Sequence, residues 1–439
     1  MSCVTLKAQK KLFMNDKLLK KVLTAAFLIE TFCVTYAFNF PVLTPVTTII
    51  YFLSGLLIAS MILFLPDATS QAGVRIQLFR FNGFKILTMG IMGLLMIHFA
   101  SNCFSDNPIL TKEADMLPVM KEMAQRFING HWKEVYNTIS QIWGGMKPIY
   151  LPAMWLPFAL PTALQADIRW ITVGALFISF SSFILILSPG KKNPLSLFLI
   201  LSAFALFWWL FTQEDSGLLT YTEEGVVIAY YVLLVLALLR GNYWLIGIVI
   251  SLCALSRYSF IGWIPALFVL LLLQKQYLNM GKLVLCGIGC FLLLVILPFG
   301  WSVISNTLLL PGEYIHFAAR LWHDNPIIFY SSLGFSKFFG PERIALQHHL
   351  LISLSFTIPT LFVLLCWWLK VKRNKNINNI SLAALKISIV LFYCFIDVPY
   401  IYLFYTSSFV SLILVTFFVM QKSDPGVVVQ NDIKQKTNS

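Results

Sequence analysis

The chain has 439 residues, of which 58% are hydrophobic and only 12% are charged. A typical soluble domain is about 45–50% apolar and about 25% charged, so too few polar residues remain here to coat soluble surfaces. This composition excludes a disordered chain, a collagen-like chain and a nucleic-acid-binding domain. The net charge of +13 is interpreted by position, because Lys and Arg are retained on the cytoplasmic side of membrane proteins. We expect an all-α, polytopic membrane protein.

The first 21 residues are basic and are predicted to lie in the cytoplasm. They hold six Lys residues and precede an apolar run over 22–38. A cleavable signal also begins with basic residues, but its apolar region is shorter and a small-residue cleavage site follows. Here Asn39, Phe40 and Pro41 follow, and then a second apolar run. The run over 22–38 is therefore predicted to be a retained first span.

Further apolar runs predict a single transmembrane domain over 22–420 with about twelve helices. A hydrocarbon core about 30 Å thick needs roughly 17–25 apolar residues for each helix. The segment 148–164 is also apolar, but it holds four prolines and is predicted to be re-entrant or interfacial. Residues 421–439 are polar and lack aromatics, which predicts a disordered cytoplasmic tail. The predicted spans are 22–38, 47–65, 86–104, 169–188, 196–213, 225–240, 243–257, 259–274, 283–301, 350–370, 380–398 and 400–420.

The distribution of charge favours this topology with both termini in the cytoplasm. Cytoplasmic segments then hold 21 of the 32 Lys and Arg residues and four of the 19 acids, whereas outer segments hold ten and thirteen. A full crossing by 148–164 would move every later loop to the other side and abolish this bias. Polar residues are concentrated in the outer loops 105–150 and 302–349 and in a short outer loop at 213–224. Few polar residues lie within the spans, which argues against a channel or a proton-coupled transporter.

The first outer loop is predicted to contain two surface helices. Apolar residues recur over 116–129 in steps of three, four and seven, which is typical of an amphipathic helix, and Asn129-Gly130 supplies a stop. A second short helix is predicted over 133–143. Both helices are expected to lie flat on the membrane with their apolar sides down.

Two acids in this loop are candidates for catalysis. Asp115 lies where the helix begins, so it is either an N-cap or first-turn acid or a general base for an acceptor hydroxyl. Asp106 competes for the same role, and its alternative is a local turn before Pro108.

The sequence from about 86 to 275 resembles the GT-C superfamily of polytopic glycosyltransferases, in particular mannosyltransferase-like members that use polyprenyl-phosphate sugars. In those proteins the first large outer loop has an acid, an amphipathic helix with small residues, a Gly, an aromatic and then Tyr-x-Pro. Here the corresponding residues are Asp115, Ala124, Gly130, Tyr136 and Tyr150-Leu151-Pro152, and a cationic motif at Leu255–Ser259 precedes Trp263-Ile264-Pro265. The outer-loop pattern Gly-Gln-x-Asn of many relatives is Thr212-Gln213-Glu214-Asp215 here, so only the Gln is shared.

The resemblance implies a reaction in which a sugar passes from a polyprenyl phosphate to an acceptor hydroxyl on a glycan or glycolipid, with inversion. The loop acid, Asp115, takes the acceptor proton, while cationic groups stabilise the departing lipid phosphate. Substrate contacts are expected from Tyr150, Gln213 and Asp397. No organic cofactor is implied. The expected location is the bacterial inner membrane.

Two groups of cations are candidates for binding the donor phosphate. Arg257 is predicted at the outer end of a span, where it is either a snorkelling arginine or a planar bidentate phosphate ligand. The alternative is Arg320 with His316 and His323, on one face of a helix that also carries Asp324. This face is either solvated or a binding surface, and a divalent metal bound by His316, His323 and Asp324 is a further possibility, although no metal site is assigned.

Several other outer residues are assigned to the membrane interface. His348 and His349 are predicted to form an interfacial pair, and Tyr393, Tyr400, Tyr402 and Tyr405 an aromatic belt.

Two other classes of protein remain open. One is an O-antigen polymerase, ligase or flippase-like protein, which also has large outer loops and handles lipid-linked glycans. The other is a transporter. Loss of transfer on changing Asp115 favours the glycosyltransferase, whereas solute uptake that does not depend on Asp115 favours the transporter.

Overall fold

A computed structural model describes residues 16–36, 40–65, 81–110, 114–142, 145–187, 194–212, 217–369 and 377–421. Within these ranges the chain is helical, and the only β-type pairing is a single bridge between Ile139 and Met146. The predicted all-α class is confirmed for the described residues. Residues 1–15 and nearly all of the predicted tail lie outside them. The helices of eleven or more residues are α1 (Asp16–Thr35), α2 (Thr44–Phe64), α3 (Gly83–Asp106), α4 (Met116–Ile128), α5 (Trp170–Ile186), α6 (Pro194–Thr212), α7 (Glu224–Arg240), α8 (Tyr243–Ala254), α9 (Trp263–Leu273), α10 (Tyr277–Phe291), α11 (Ser302–Asp324), α12 (Ile344–Trp368), α13 (Ile377–Phe395) and α14 (Tyr405–Met420).

Seven helices in the described chain are long and apolar enough to cross a membrane, namely α2, α3, α6, α10, α12, α13 and α14. Each of the twelve predicted spans coincides with a helix, but the other five are shorter or more polar. α7 has 17 residues and begins with an acid, whereas α8 and α9 have 12 and 11 residues. The described residues therefore form a helical bundle whose long apolar helices indicate a membrane-embedded protein.

The chain repeatedly returns to the same two ends of the bundle. At one end, Lys20 Nζ donates to the Gln421 carbonyl at 2.6 Å, and the Asn379 side chain donates to the Ile62 and Leu65 carbonyls at 3.0 and 3.1 Å. The start of α1, the end of α2, the start of α13 and the end of α14 thus lie together. We call this the tail end, and the opposite end, which carries Asp115, Tyr150, Glu223, Arg257 and Asp397, the loop end.

The centre of the bundle is formed by α13 and α14. The most apolar 18-residue window of α14 is completely buried, whereas the corresponding share is 11% for α10. Two charged residues lie in this centre. Lys386 Nζ of α13 lies 2.7 Å from Glu30 Oε1 of α1, and both side chains are fully buried. Ser407 and Ser411 of α14 donate to the Glu30 carboxylate at 2.9 and 2.7 Å, so three helices are joined by one polar cluster.

The Pro-rich segment over 148–164 does not form a long helix. It consists of three short turns, Pro152–Trp155, Leu156–Phe158 and Ala159–Ala163. Arg169, just before α5, donates to the Asn107 and Phe104 carbonyls at the end of α3, at 2.5 and 3.2 Å. The intervening chain therefore leaves and returns at the loop end, as expected for a segment that does not cross the bundle.

The first outer loop differs from the prediction in two respects. The predicted helix over 116–129 is present as α4, but its apolar face, with Leu117, Met120 and Met123, is buried against the short turns of the Pro-rich segment rather than laid on a membrane. The predicted helix over 133–143 was wrong. Only a turn at Trp132–Glu134 forms, because Arg126 of α4 binds the Glu134 and Asn137 carbonyls and the β-branched residues that follow are drawn into the core.

The second outer loop is mostly helical. α11 runs along it for 23 residues, and its buried residues Ala318 and Trp322 form a small second core with Phe329, Ile344 and Val398. Trp322 stacks on Phe329 with ring centroids 4.0 Å apart. This second core holds α11 against the start of α12 and the turn that precedes α14.

Candidate functional site

The candidate site is a group of polar side chains at the loop end. Three of the predicted site residues, Asp115, Tyr150 and Arg257, lie here together with Glu223 and Glu224. They come from four separate parts of the chain, so the fold rather than local sequence brings them together.

Asp115 is the acid on which the predicted chemistry depends. It precedes the first residue of α4, but its side chain makes no capping hydrogen bond. The N-cap alternative is therefore not supported, whereas the alternative of an acid at the first turn, near the positive end of the helix dipole, agrees with this position. Burial raises the pKa of the Asp115 carboxyl, and the backbone amides of Asp115 and Met116 lower it by a smaller amount. The carboxylate is thus more basic than one in water.

Two tyrosines, Tyr150 and Tyr400, lie within electrostatic range of Asp115. Burial raises the pKa of Tyr150 well above its usual value, and the charges of Asp115 and Glu223 raise it further. The pKa of Tyr400 is raised to about 12 by burial and then by Asp115. Tyr402 donates to Met116 Sδ at 3.4 Å, which holds the turn before α14 against the start of α4. The charge of Asp115 therefore acts on two tyrosine hydroxyls, and a third tyrosine holds the adjacent residue Met116.

Arg257 forms ion pairs with two neighbouring glutamates. Its Nη2 lies 2.9 Å from Glu223 Oε1 and 2.6 Å from Glu224 Oε2, and all three side chains are largely or fully buried. Glu224 also accepts hydrogen bonds from Thr406 at 2.5 Å and Tyr393 at 3.2 Å. Glu224 is thus held on several sides, whereas Glu223 Oε2 and Arg257 Nε are buried without a hydrogen-bond partner in the described chain.

The charge balance of this group is acidic. Asp115, Glu223 and Glu224 supply three carboxylates, and Arg257 supplies one guanidinium. Burial raises the pKa of Glu223, and Arg257 partly opposes that shift. A negatively charged ligand at Arg257 would therefore compete with carboxylates that are already bound.

Close helix packing positions the two glutamates. A Cβ on Gly225 would lie 2.6 Å from Thr172 Cγ2 and 3.1 Å from its carbonyl oxygen, so only a glycine allows the starts of α5 and α7 to approach this closely. This contact places Glu223 and Glu224 inside the bundle.

Backbone hydrogen bonds position Tyr150 relative to Arg257. The Ala153 amide donates to the Leu255 carbonyl at 3.0 Å, and the Tyr230 hydroxyl donates to the Ala153 carbonyl at 3.0 Å. The Tyr136 hydroxyl donates to the Tyr150 carbonyl at 3.1 Å. The Tyr-x-Pro segment is therefore fixed to the chain two residues before Arg257.

The tyrosines assigned to an aromatic belt are mostly interior residues. Tyr393, Tyr402 and Tyr405 are at most 8% exposed and pack inside the bundle, so that prediction was wrong for these three. Packing at the loop end, where Glu224 and Arg257 need polar neighbours, explains their burial. Tyr400 is half-buried and stacks on Tyr402 with ring centroids 5.3 Å apart.

One other predicted residue, Asp106, does not join the site, and a second, Gln213, cannot be placed. Asp106 is exposed at the end of α3, and its charge acts on Cys103 of the same helix. Gln213 lies outside the described residues. Asp106 therefore has the solvent-exposed setting of a helix-end acid, whereas Asp115 has a desolvated one.

The alternative phosphate ligands lie on the exposed side of α11. His316, Arg320 and His323 are exposed, whereas Tyr314, Ala318 and Trp322 on the other side of the helix are half-buried or buried. His323 Nδ1 lies 3.2 Å from Asp324 Oδ1, with both side chains mostly exposed. The geometry agrees with the solvated-face alternative. Among the described residues there is no group of three or more His, Cys, Asp or Glu side chains arranged to hold a metal ion.

Asp397, a predicted sugar contact, is buried and paired with His348. Asp397 Oδ2 lies 2.5 Å from His348 Nδ1, so His348 is not part of an interfacial pair with His349 as predicted. His349 is exposed. Burial and Tyr400 raise the pKa of Tyr314, and the charges of Arg257 and Asp397 also act on it. The charges of Arg257 and of Asp397 therefore both reach the Tyr314 hydroxyl.

Sequence reasoning missed the roles of Glu223, Glu224 and His348. One signal was available, since two adjacent acids that open an apolar helix are costly unless a cation neutralises them. The partner, Arg257, lies more than 30 residues further along the chain, and no local pattern reports such a pairing.

Comparison with protein-family models, with curated proteins and with solved structures gives no match to this chain.

Proposed function

We propose that the chain is an inverting glycosyltransferase of the GT-C type, a hexosyltransferase that moves a sugar from a polyprenyl phosphate to an acceptor hydroxyl on a cell-envelope glycan or glycolipid. The observation that carries this proposal is the convergence of a desolvated acid, Asp115, with Tyr150 and the buried Arg257. Such a group suits a reaction in which a hydroxyl loses a proton while an anion departs.

In the proposed reaction the acceptor hydroxyl oxygen attacks the anomeric carbon of the donor sugar. Asp115 takes the hydroxyl proton as the new C–O bond forms. The C–O bond to the phosphate breaks, and its electron pair leaves with the polyprenyl phosphate, so the anomeric configuration is inverted. Burial raises the pKa of Asp115, and a more basic carboxylate accepts this proton more readily near neutral pH.

Arg257 is the proposed ligand of the departing phosphate. Both of its glutamates compete with that anion, but they are held differently. Glu224 is also bound by Thr406 and Tyr393, whereas Glu223 contacts Arg257 through one oxygen and leaves the other unpartnered in the described chain. We therefore assign Glu223 as the carboxylate that the donor phosphate replaces on the guanidinium.

The proposed topology has twelve crossings, with the site on the outer face of a bacterial inner membrane and both termini in the cytoplasm. Because Tyr150, Glu223, Arg257 and Asp397 meet at the loop end, the helix pairs between them have to run to the tail end and back. Contacts at the tail end mark these returns, since Tyr243 at the start of α8 donates to Gln276 before α10 at 3.0 Å. The short helices α7, α8 and α9 would then also cross.

Replacing Asp115 by Asn tests the assignment of the base. D115N keeps the shape of the side chain but removes the proton acceptor, so transfer should fall by about 10²–10⁴-fold. Purified protein in nanodiscs would be incubated with a panel of polyprenyl-phosphate hexoses and glycolipid acceptors, and the product measured by mass spectrometry. D106N, which changes an exposed acid in the same loop, is the matched control and should keep full activity.

Three outcomes of these measurements would contradict the assignment of the base or the proposed reaction. Full activity of D115N with correct folding would overturn the assignment of the base. An absence of donor consumption by the wild-type protein across the panel would overturn the glycosyltransferase proposal itself. Uptake of a solute into proteoliposomes that is unaffected by D115N would favour a transporter.

A further inference from the structure

His348 and Asp397 form a second buried polar pair at the loop end. His348 lies in the first turns of α12, and Asp397 lies in the turn that follows α13. The two side chains are 11% and 2% exposed, and Nδ1 lies 2.5 Å from Oδ2. Because a carboxylate accepts, the proton of this hydrogen bond lies on Nδ1, which fixes the orientation of the ring.

The turn that carries Asp397 is held in place by two buried side chains. The Ser336 hydroxyl donates to the Ile396 carbonyl at 3.0 Å, and the Gln347 side-chain amide donates to the same carbonyl at 2.7 Å. The Gln347 amide also donates to the Phe395 carbonyl at 3.0 Å. Asp397 is therefore positioned by its neighbours before any ligand arrives, as a binding site requires.

One atom on each residue of the pair is left without a hydrogen bond. Asp397 Oδ1 and His348 Nε2 are buried, and neither has a partner among the described residues. An unsatisfied buried polar atom costs about 1–3 kcal/mol, so two of them on one hydrogen-bonded pair call for an explanation. Asp397 Oδ1 is an acceptor as a carboxylate oxygen, and His348 Nε2 either accepts or donates, according to whether it carries a proton.

The pair adjoins the candidate site through Tyr314. The charges of both Arg257 and Asp397 act on the Tyr314 hydroxyl, which comes from α11. The second core, with Ala318 and Trp322, holds this helix over the start of α12. Arg257 and Asp397 thus act on the same hydroxyl, and the pair and the candidate site both lie at the loop end of the bundle.

We propose that His348 and Asp397 form a carbohydrate subsite, in which Nε2 and Oδ1 form hydrogen bonds with hydroxyl groups of the acceptor sugar. A sugar hydroxyl both donates and accepts, so it pairs with Oδ1 and with Nε2 in either protonation state, whereas a fully ionised phosphate has no proton to donate to Oδ1. This inference rests on the proposed function, because it assigns the ligand at the pair to the acceptor of that reaction.

Direct binding tests the subsite without relying on transfer. Protein labelled with ¹⁵N-histidine in nanodiscs would be titrated with hexyl β-glucoside, β-galactoside and β-mannoside, and the His348 ring signals assigned by their loss in H348Q. At least one hexoside should shift the His348 Nε2 signal in a saturable manner and leave His349 unchanged. Hexyl tetraethylene glycol, which has the same chain without a sugar, should not shift it. In D397N, which keeps the side-chain shape, the shift should be lost.

A lack of movement with every hexoside, or an equal movement with the sugar-free compound, would overturn the subsite. Transfer kinetics supply the second measurement. H348Q should raise the acceptor KM by about ten-fold, the loss expected for one buried hydrogen bond, with little change in the donor KM. H349Q, at the exposed neighbouring residue, should match the wild type.

The two measurements separate this proposal from the proposed function. Saturable hexoside binding by a protein that transfers no sugar would refute the proposed reaction but support the subsite. Normal transfer by H348Q and D397N, with an unchanged acceptor KM, would refute the subsite but leave the proposed reaction supported.

Discussion

Two buried groups in this protein each pair a cation with one or two carboxylates, but their surroundings differ. Lys386 and Glu30 lie in the centre of the bundle, where Lys386 Nζ contacts Glu30 and Ser407, and Glu30 accepts from Ser407 and Ser411. At the loop end, Arg257 contacts Glu223 and Glu224, but one guanidinium nitrogen and one carboxylate oxygen stay unpartnered in the described chain.

The comparison distinguishes a structural ion pair from a candidate binding group. The serines of α14 satisfy both oxygens of Glu30, so nothing in that cluster is available to a ligand. The unpartnered atoms at Arg257 are costly for stability, and such atoms are retained where a substrate uses them. We therefore expect changes to the Lys386 cluster to affect folding and changes to Glu223 or Arg257, which carry the unpartnered atoms, to affect activity.

The largest expected effect is on stability, at Lys386. K386M leaves Glu30 as a buried charge without its cation, which costs about 3–5 kcal/mol when one partner of a buried pair is removed. The free energy of unfolding, or the midpoint temperature in nanodiscs, would be measured. The double variant K386M/E30L removes both charges and should recover much of the loss. Equal stability of K386M and the wild type would refute the structural role of this pair.

Glu223 should show the opposite behaviour, with a smaller effect confined to donor binding. E223Q keeps a hydrogen-bonding side chain but removes the charge that competes with the donor phosphate for Arg257. The donor KM should therefore fall about three- to ten-fold, the effect of weakening one charge-assisted contact. E224Q is the matched control, because Glu224 also binds Thr406 and Tyr393 and its loss should reduce stability instead. An increase of the donor KM in E223Q would show that Glu223 does not compete with the phosphate.

The sequence predicted the helices and three residues of the loop-end group better than it predicted the buried ion pairs. The twelve apolar segments all form helices in the described chain. Asp115, Tyr150 and Arg257 were identified because hydrophobic periodicity and short motifs depend only on residues that are close together in the sequence. Glu30 and Lys386 were noted as polar residues within spans, but their pairing joins residues 356 positions apart. The failed helix over 133–143 has the same cause, since Arg126 of α4 binds the Glu134 and Asn137 carbonyls and tertiary contacts outweigh local preference.

The smallest expected effect is a displacement of the acidic limb of the pH profile. A general base works only when ionised, so transfer should fall as the pH decreases through the pKa of Asp115. Burial raises that pKa, so the midpoint of the limb should lie above 3.8, the usual value for an aspartate. The ratio kcat/KM would be measured from about pH 4 to 8. The pKa of Glu223 is also raised by burial, so E223Q serves as the control. E224Q is needed as a second control, because Glu224 is the other carboxylate paired with Arg257. A limb that persists in both E223Q and E224Q belongs to Asp115, whereas a limb lost in either variant belongs to a partner of Arg257.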